Sequence, residues 1–184
     1  MLIVRQLIMQ GFNIGGGVLL ARMLTPEAFG LYAIVTFFLA FLVAFGDAGL
    51  AASLIRSRDE PTEKDYNVIF TMQLLFVGIA GGIFWVLSPW IAQAYTLEVA
   101  DAWVFRLMAL SLIVTSFVVI PQVRLERELR FDRIAVVEIT QAIVFNVIAV
   151  GMAWYGYGPI SFGIAMLCRA ITGAVLLNLT LIHI

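Results

Sequence analysis

One cysteine and one histidine occur in 184 residues, and only 12% of the chain is charged. Cys168 alone closes no internal disulfide, and with His183 beside the chain end it assembles no metal site. General acid–base chemistry needs titratable groups brought together, and the GxSxG elbow, the GxxxxGK[ST] phosphate loop and HExxH are all missing. The chain is therefore expected not to be an enzyme, and no cofactor is implied. Eleven Lys and Arg stand against twelve Asp and Glu, a net charge of -1, which gives no global attraction to nucleic acid.

Apolar residues are abundant instead. They make up 62% of the chain, with a mean hydropathy of +1.03, where soluble domains run near 45–50% apolar and roughly a quarter charged. This is the composition of a membrane protein. A spanning helix needs about 20 mostly apolar residues, and cutting the apolar runs at their charged or Pro/Gly interruptions predicts segments at 2–24, 29–55, 68–95, 102–122, 134–155 and 160–184. The expected fold is all-α, a polytopic six-helix transmembrane bundle in which 1–184 is a single unit. Three central glycines, and Arg22 where a cleavage site would place small residues, make the first segment a retained helix rather than a signal peptide. Thr25 suits an N-cap and Pro26 the first helical position of the second segment.

Short cytoplasmic loops carry the Lys/Arg excess. Arg56, Arg58 and Lys64 fall in the second connection and Arg124, Arg127, Arg130 and Arg133 in the fourth, whereas Arg22 is the sole cation near an odd one. The even connections and the N-terminus are thus expected on the cytoplasmic side. Trp90, Tyr95, Trp103, Trp154, Tyr155 and Tyr157 gather at the opposite helix ends, as an interfacial aromatic belt does. The arginine-rich fourth connection suits anionic head groups, although Glu126, Glu128 and Asp132 dilute it and favour a topological role.

Ionisable groups within spanning helices face a bundle interior or a water-filled cavity and are the first functional candidates. Here they are Arg5, Asp47, Arg106, Glu138 and Arg169. The segment boundaries put Asp47 and Arg169 at depths close enough to pair, either as a structural ion pair or as part of a cavity. Gln6, Gln10, Asn13 and Gly17 share a stripe of the first helix, and Thr36, Ala40, Ala44, Asp47 and Ala51 a small, polar stripe of the second. The two stripes are expected to line a cavity, or alternatively to support close helix packing. Packing is the simpler role for Gly15, Gly16, Gly17, Gly81 and Gly82. Gly46-Asp47-Ala48-Gly49 suits a broken helix at a transport site. Ala44-Phe45-Gly46-Asp47 also approaches the GxGD pattern of intramembrane aspartyl proteases, but Ala44 replaces the first glycine and no second helix supplies an aspartate.

The order of the segments resembles the polysaccharide-synthesis (Wzx-like) branch of the multidrug/oligosaccharidyl-lipid/polysaccharide exporter superfamily. The matching stretches are Ala21-Arg22-Met23-Leu24-Thr25-Pro26-Glu27-Ala28-Phe29-Gly30-Leu31-Tyr32, then Gly46-Asp47-Ala48-Gly49-Leu50 with Leu54-Ile55, and Ser88-Pro89-Trp90-Ile91-Ala92. They continue with Arg106-Leu107-Met108-Ala109-Leu110, with Pro121 leading into Leu125-Glu126-Arg127-Glu128-Leu129-Arg130-Phe131, with Glu138 and with the Gly156-Tyr157-Gly158 turn. Such families look like bacterial inner-membrane flippases that move undecaprenyl-linked sugar units outward, with two six-helix bundles around a central, often cationic cavity. The resemblance implies that this chain is the N-terminal bundle, a multi-pass protein of the plasma membrane. Its expected partners are the lipid bilayer, a lipid-linked oligosaccharide, and a second six-helix bundle or a second copy, with no nucleic acid.

The substrate-binding residues expected on this reading are Arg5, Gln6, Gln10, Asn13, Asp47 and Arg169. The cations would attract phosphate, the amides would bond sugar or phosphate, and Asp47 would tune Arg169 or bind a coupling cation. A cation-coupled small-molecule exporter of the same fold is the first rival, kept open by Asp47 and Glu138. A non-transporting scaffold for glycan assembly is the second, and an intramembrane hydrolase centred on Asp47 a distant third.

Overall fold

The structure, a computed structural model, describes residues 2–47, 54, 61–95 and 101–182, with side chains at 2–9, 13, 43–47, 181 and 182 excepted. Among the described residues there are six helices and no strand: α1 (Leu2–Met23), α2 (Pro26–Asp47), α3 (Glu63–Ala94), α4 (Ala102–Arg127), α5 (Phe131–Trp154) and α6 (Ile160–Ile182). The helices from Glu63–Ala94 onward, four in all, are long and apolar enough to cross a membrane, and Pro26–Leu42 is a shorter apolar stretch. The chain is an all-α, multi-pass membrane protein. Apolar side chains on α3, including Val68, Leu75, Ile79, Ile83 and Val86, point outward at helical spacing. Water would penalise that surface, whereas a bilayer matches it.

α4 is the central element, packed against α3 and α6 and touching α2 and α5; α1 lies against α5, and α2 against α3 and α4. The largest core cluster joins Leu31, Val35 and Leu39 of α2 with Val77 and Phe84 of α3 and Phe105, Met108 and Leu112 of α4. A second cluster ties the Leu20 end of α1 to Phe162 and Ala165 of α6 and Ala149 and Ala153 of α5. There Tyr32 of α2 stacks on Phe162 of α6 at 4.3 Å.

Several boundaries differ from the expected ones, for local reasons. The Ala28 N–H reaches the Thr25 hydroxyl at 3.4 Å and α2 begins at Pro26 rather than 29. α3 begins at Glu63 instead of 68, because the Asp65 carboxylate accepts bonds from the Thr62 N–H (2.7 Å) and hydroxyl (2.8 Å). α4 continues through the arginines to Arg127 rather than stopping at 122, and α5 starts at Phe131 rather than 134. The turn between them is short: the Arg130 N–H bonds the Leu125 carbonyl and the Leu129 N–H that of Glu126, with Leu129 at φ 56°. This is a Schellman closure. The α5 end closes the same way around Gly156, at φ 80°, with the Tyr157 N–H on the Met152 carbonyl. The expected end of the second segment at 55 lies outside the described residues.

Two prolines lie inside spanning helices, Pro89 in α3 and Pro121 in α4. Each lacks the N–H that would bond the carbonyl four residues earlier, and in hydrocarbon an orphaned carbonyl has no water to turn to. Both carbonyls find side-chain donors. The Ser88 hydroxyl donates to the Trp85 carbonyl at 2.8 Å, and the Asn178 amide of α6 donates to the Phe117 carbonyl at 3.2 Å.

Candidate functional site

Of the five intramembrane ionisable candidates, Arg106 is accounted for by packing. Its Nε donates to the Ser88 hydroxyl at 3.2 Å, and its guanidinium lies 5.0 Å from the Trp103 ring centre and 5.8 Å from that of Trp85. Cation–π contact and one hydrogen bond hold the charge at the aromatic end of the bundle. Trp90, Tyr95, Trp103, Trp154, Tyr155 and Tyr157 are exposed at that same end.

Arg169 sits differently. It is half-buried and lines a cavity of about 170 Å³ with Ser111, Thr115 and Val118 of α4, Gln141 of α5, and Met166 and Ala170 of α6. Arg169 forms no ion pair with any described residue. Helix rise puts Arg169 and Ser111 each about 14 Å from the starts of their helices, and Gln141 about 15 Å from the opposite end. All three meet near mid-bilayer depth. Thr115 donates its hydroxyl to the Ser111 carbonyl at 2.8 Å and Ser111 to that of Met108 at 2.7 Å, so these hydroxyls arrive with their protons engaged and lone pairs available. A Cβ at Gly173 would overlap the Gln141 amide, so the amide lies directly on the α6 backbone.

In the sequence Arg169 stands out as an intramembrane cation, whereas Ser111, Thr115 and Gln141 carry no charge that singles them out. The i, i+4 spacing of Ser111 and Thr115 places both on one face of α4, and that spacing was the available signal.

The other expected site residues are placed as follows. The backbones of Arg5, Gln6 and Asn13 lie on α1 and that of Asp47 ends α2, while their side chains lie outside those described. Gln10 is exposed, and Gly17 faces open space. The face of α1 that packs runs instead through Gly16, where a Cβ would collide with the buried Asn146 amide of α5. Gly16 thus serves close packing as expected, whereas a Cβ at Gly81 would make only ordinary contacts with Ile113 and the Ala109 carbonyl, and one at Gly15, Gly17 or Gly82 would meet nothing within reach among the described residues. On α2 the packed face is Leu31, Val35 and Leu39, and Ala40 of the small stripe is exposed.

The expected pairing of Asp47 with Arg169 lies outside the described residues, because the Asp47 side chain is not among them.

The sequence profile of a family described as polysaccharide biosynthesis protein matches residues 19–183. The chain is also similar to the succinoglycan biosynthesis transport protein ExoT of Rhizobium meliloti (strain 1021), at 29% identity over 140 residues. The matched region is 76% of this chain and 28% of that relative, so the chain spans well under half of the relative's length. No solved structure matches it.

Proposed function

Since the chain belongs to the polysaccharide biosynthesis protein family, we propose that it forms one bundle of a membrane transporter that flips undecaprenyl-linked oligosaccharide units across the bacterial inner membrane. The observation that carries this reading is Arg169, a half-buried cation at mid-bilayer depth in a cavity with Ser111, Thr115 and Gln141. A lone cation at that depth is costly and needs an anionic partner. The phosphates of a lipid-linked sugar supply one, in a form an arginine fork matches.

At about 170 Å³ the cavity is smaller than the 300–1,000 Å³ of ordinary ligand pockets. It accommodates a phosphate, and the sugars lie elsewhere. Gln10 and Ala40 are exposed, and on this reading the faces of α1 and α2 that carry them form that wall, with Arg5, Gln6, Gln10 and Asn13 contacting the substrate and Asp47 binding a coupling cation. A second six-helix bundle or a second copy closes the space, and rocking of the two alternates access. The N-terminus is cytoplasmic in this arrangement, in keeping with the Lys/Arg bias.

Liposomes holding the chain and the complementary bundle, loaded with a fluorescent lipid-linked oligosaccharide, test the reading. Flipping is expected, reduced about 10-fold or more by Arg169→Gln and only partly by Arg169→Lys, a loss of the order expected for one charge-assisted contact. No flipping with the complementary bundle present favours the scaffold role, and cation-dependent efflux of small cations without lipid flipping favours the exporter.

A further inference from the structure

At the arginine-rich end of the bundle a second cleft, about 240 Å³, opens between α3, α4 and α6. Tyr66, Asn67, Phe70, Phe117, Arg124 and Asn178 line it. Three aromatic rings and two amides thus surround one guanidinium, and the combination suits a ligand with a polar head and an apolar body.

The other arginines nearby are engaged. An Arg127 Nη donates to the Leu54 carbonyl, Arg130 pairs with Glu128 at 3.1 Å, and Arg133 with Asp132 at 3.8 Å. Arg124 is only partly satisfied. Its guanidinium lies 4.4 Å from the Tyr66 ring centre and its Nη2 donates to Glu63 at 2.6 Å, yet its Nε is buried with no hydrogen-bond partner among the described residues. An arginine fork presents two N–H groups to two oxygens, and Glu63 meets it at one nitrogen. The Glu63 side chain is 73% exposed, and an ion pair so open to solvent is weak.

We propose that this cleft binds the phosphate-bearing headgroup of an anionic bilayer lipid, with Arg124 as its anion ligand and Glu63 as the carboxylate that competes for the same fork. Basic pockets between spanning helices on the Lys/Arg-rich side recognise such headgroups. The position agrees: Arg124 is in the last turn of α4, just past the apolar run that ends at 122. Phe117 lies about 10 Å deeper along the same helix, so a headgroup at Arg124 leaves its acyl chains beside Phe117 and Phe70. The site is separate from the Arg169 cavity and does not depend on what the chain transports.

Native mass spectrometry of the purified protein, released from nanodiscs of equal phosphatidylglycerol and phosphatidylcholine, tests the proposal. Wild type is expected to retain phosphatidylglycerol about five-fold over phosphatidylcholine, the effect of about one cation at an anionic surface. Arg124→Gln is expected to abolish the preference. Glu63→Gln leaves the arginine in place and is expected to raise it, which keeps the test open if Arg124→Gln misfolds. Equal retention of both lipids by wild type, or an unchanged preference in Glu63→Gln, overturns the proposal. Added inorganic phosphate is expected to leave the lipid bound; displacement by phosphate alone overturns the assignment to a lipid.

Discussion

Pro121 and Asn178 lie on different helices and are joined through one carbonyl. The carbonyl of Phe117 loses its helical donor to Pro121 and receives the Asn178 amide instead, while the same amide also serves Ala174 at 2.7 Å. The importance of Asn178 is therefore conditional on the proline. Asn178→Ala is expected to cost about 1 kcal/mol, the scale of an interhelical hydrogen bond in a membrane. In a Pro121→Ala background the residue-121 N–H satisfies Phe117, and the same change is expected to be close to neutral. Unfolding in detergent, analysed as a double-mutant cycle, measures the difference; additive costs refute the coupling. Ser88 and Pro89 obey the same logic within one helix, with Arg106 added because the hydroxyl that donates to Trp85 still accepts from the guanidinium.

Among the elements, the α4–α5 connection shows which boundaries are legible in sequence. Hydropathy marks where a helix leaves the bilayer, and by that measure the segment ends at 122. The helix itself ends where a residue enters the left-handed region, and that residue is Leu129, 73% exposed and carrying a Cβ where glycine is the usual choice. Arginine, glutamate and leucine are good helix formers, so nothing between 123 and 127 stops α4 sooner. Gly156 performs the same task at the α5 end without steric cost. Leu129→Gly is expected to gain about 0.5–1 kcal/mol and Gly156→Ala to lose about 1 kcal/mol. Thermal unfolding of the two variants checks these opposite signs. Choice of face is harder to read than element type, because lipid tolerates apolar residues on every side of a spanning helix. What decides the packed face of α2 is the fit of Leu31, Val35 and Leu39 to α3 and α4.

For the whole molecule, the consequence is a bundle with a closed side and an open one. α4 holds the centre, and parts of α1 and α2 that carry small or polar residues are left uncovered. On the proposed reading these faces meet water and substrate, whereas the outward face of α3 meets lipid. Cysteines placed at Gln10 and Ala40, with Cys168 replaced by serine, are expected to react with a water-soluble maleimide when the complementary bundle is present. A cysteine at Ile79 on α3 is expected to stay unlabelled. Equal labelling at all three positions contradicts an aqueous wall.

The candidate site was legible in the sequence only where charge made it conspicuous. Arg169 stands out because a cation in hydrocarbon is costly. Ser111 and Thr115 do not, since each hydroxyl can satisfy itself on its own helix, as both do here.

The bond from Asn178 to Phe117 also bears on how the chain is made. Asn178 is added 61 residues after Phe117, so the Phe117 carbonyl is without this donor until α6 is made. Synthesis must pass residue 178 before this part of the hydrocarbon core is satisfied. α6 thereby completes α4, and a nascent chain stopped within α6 leaves a defect two helices upstream, in a segment already threaded across the bilayer.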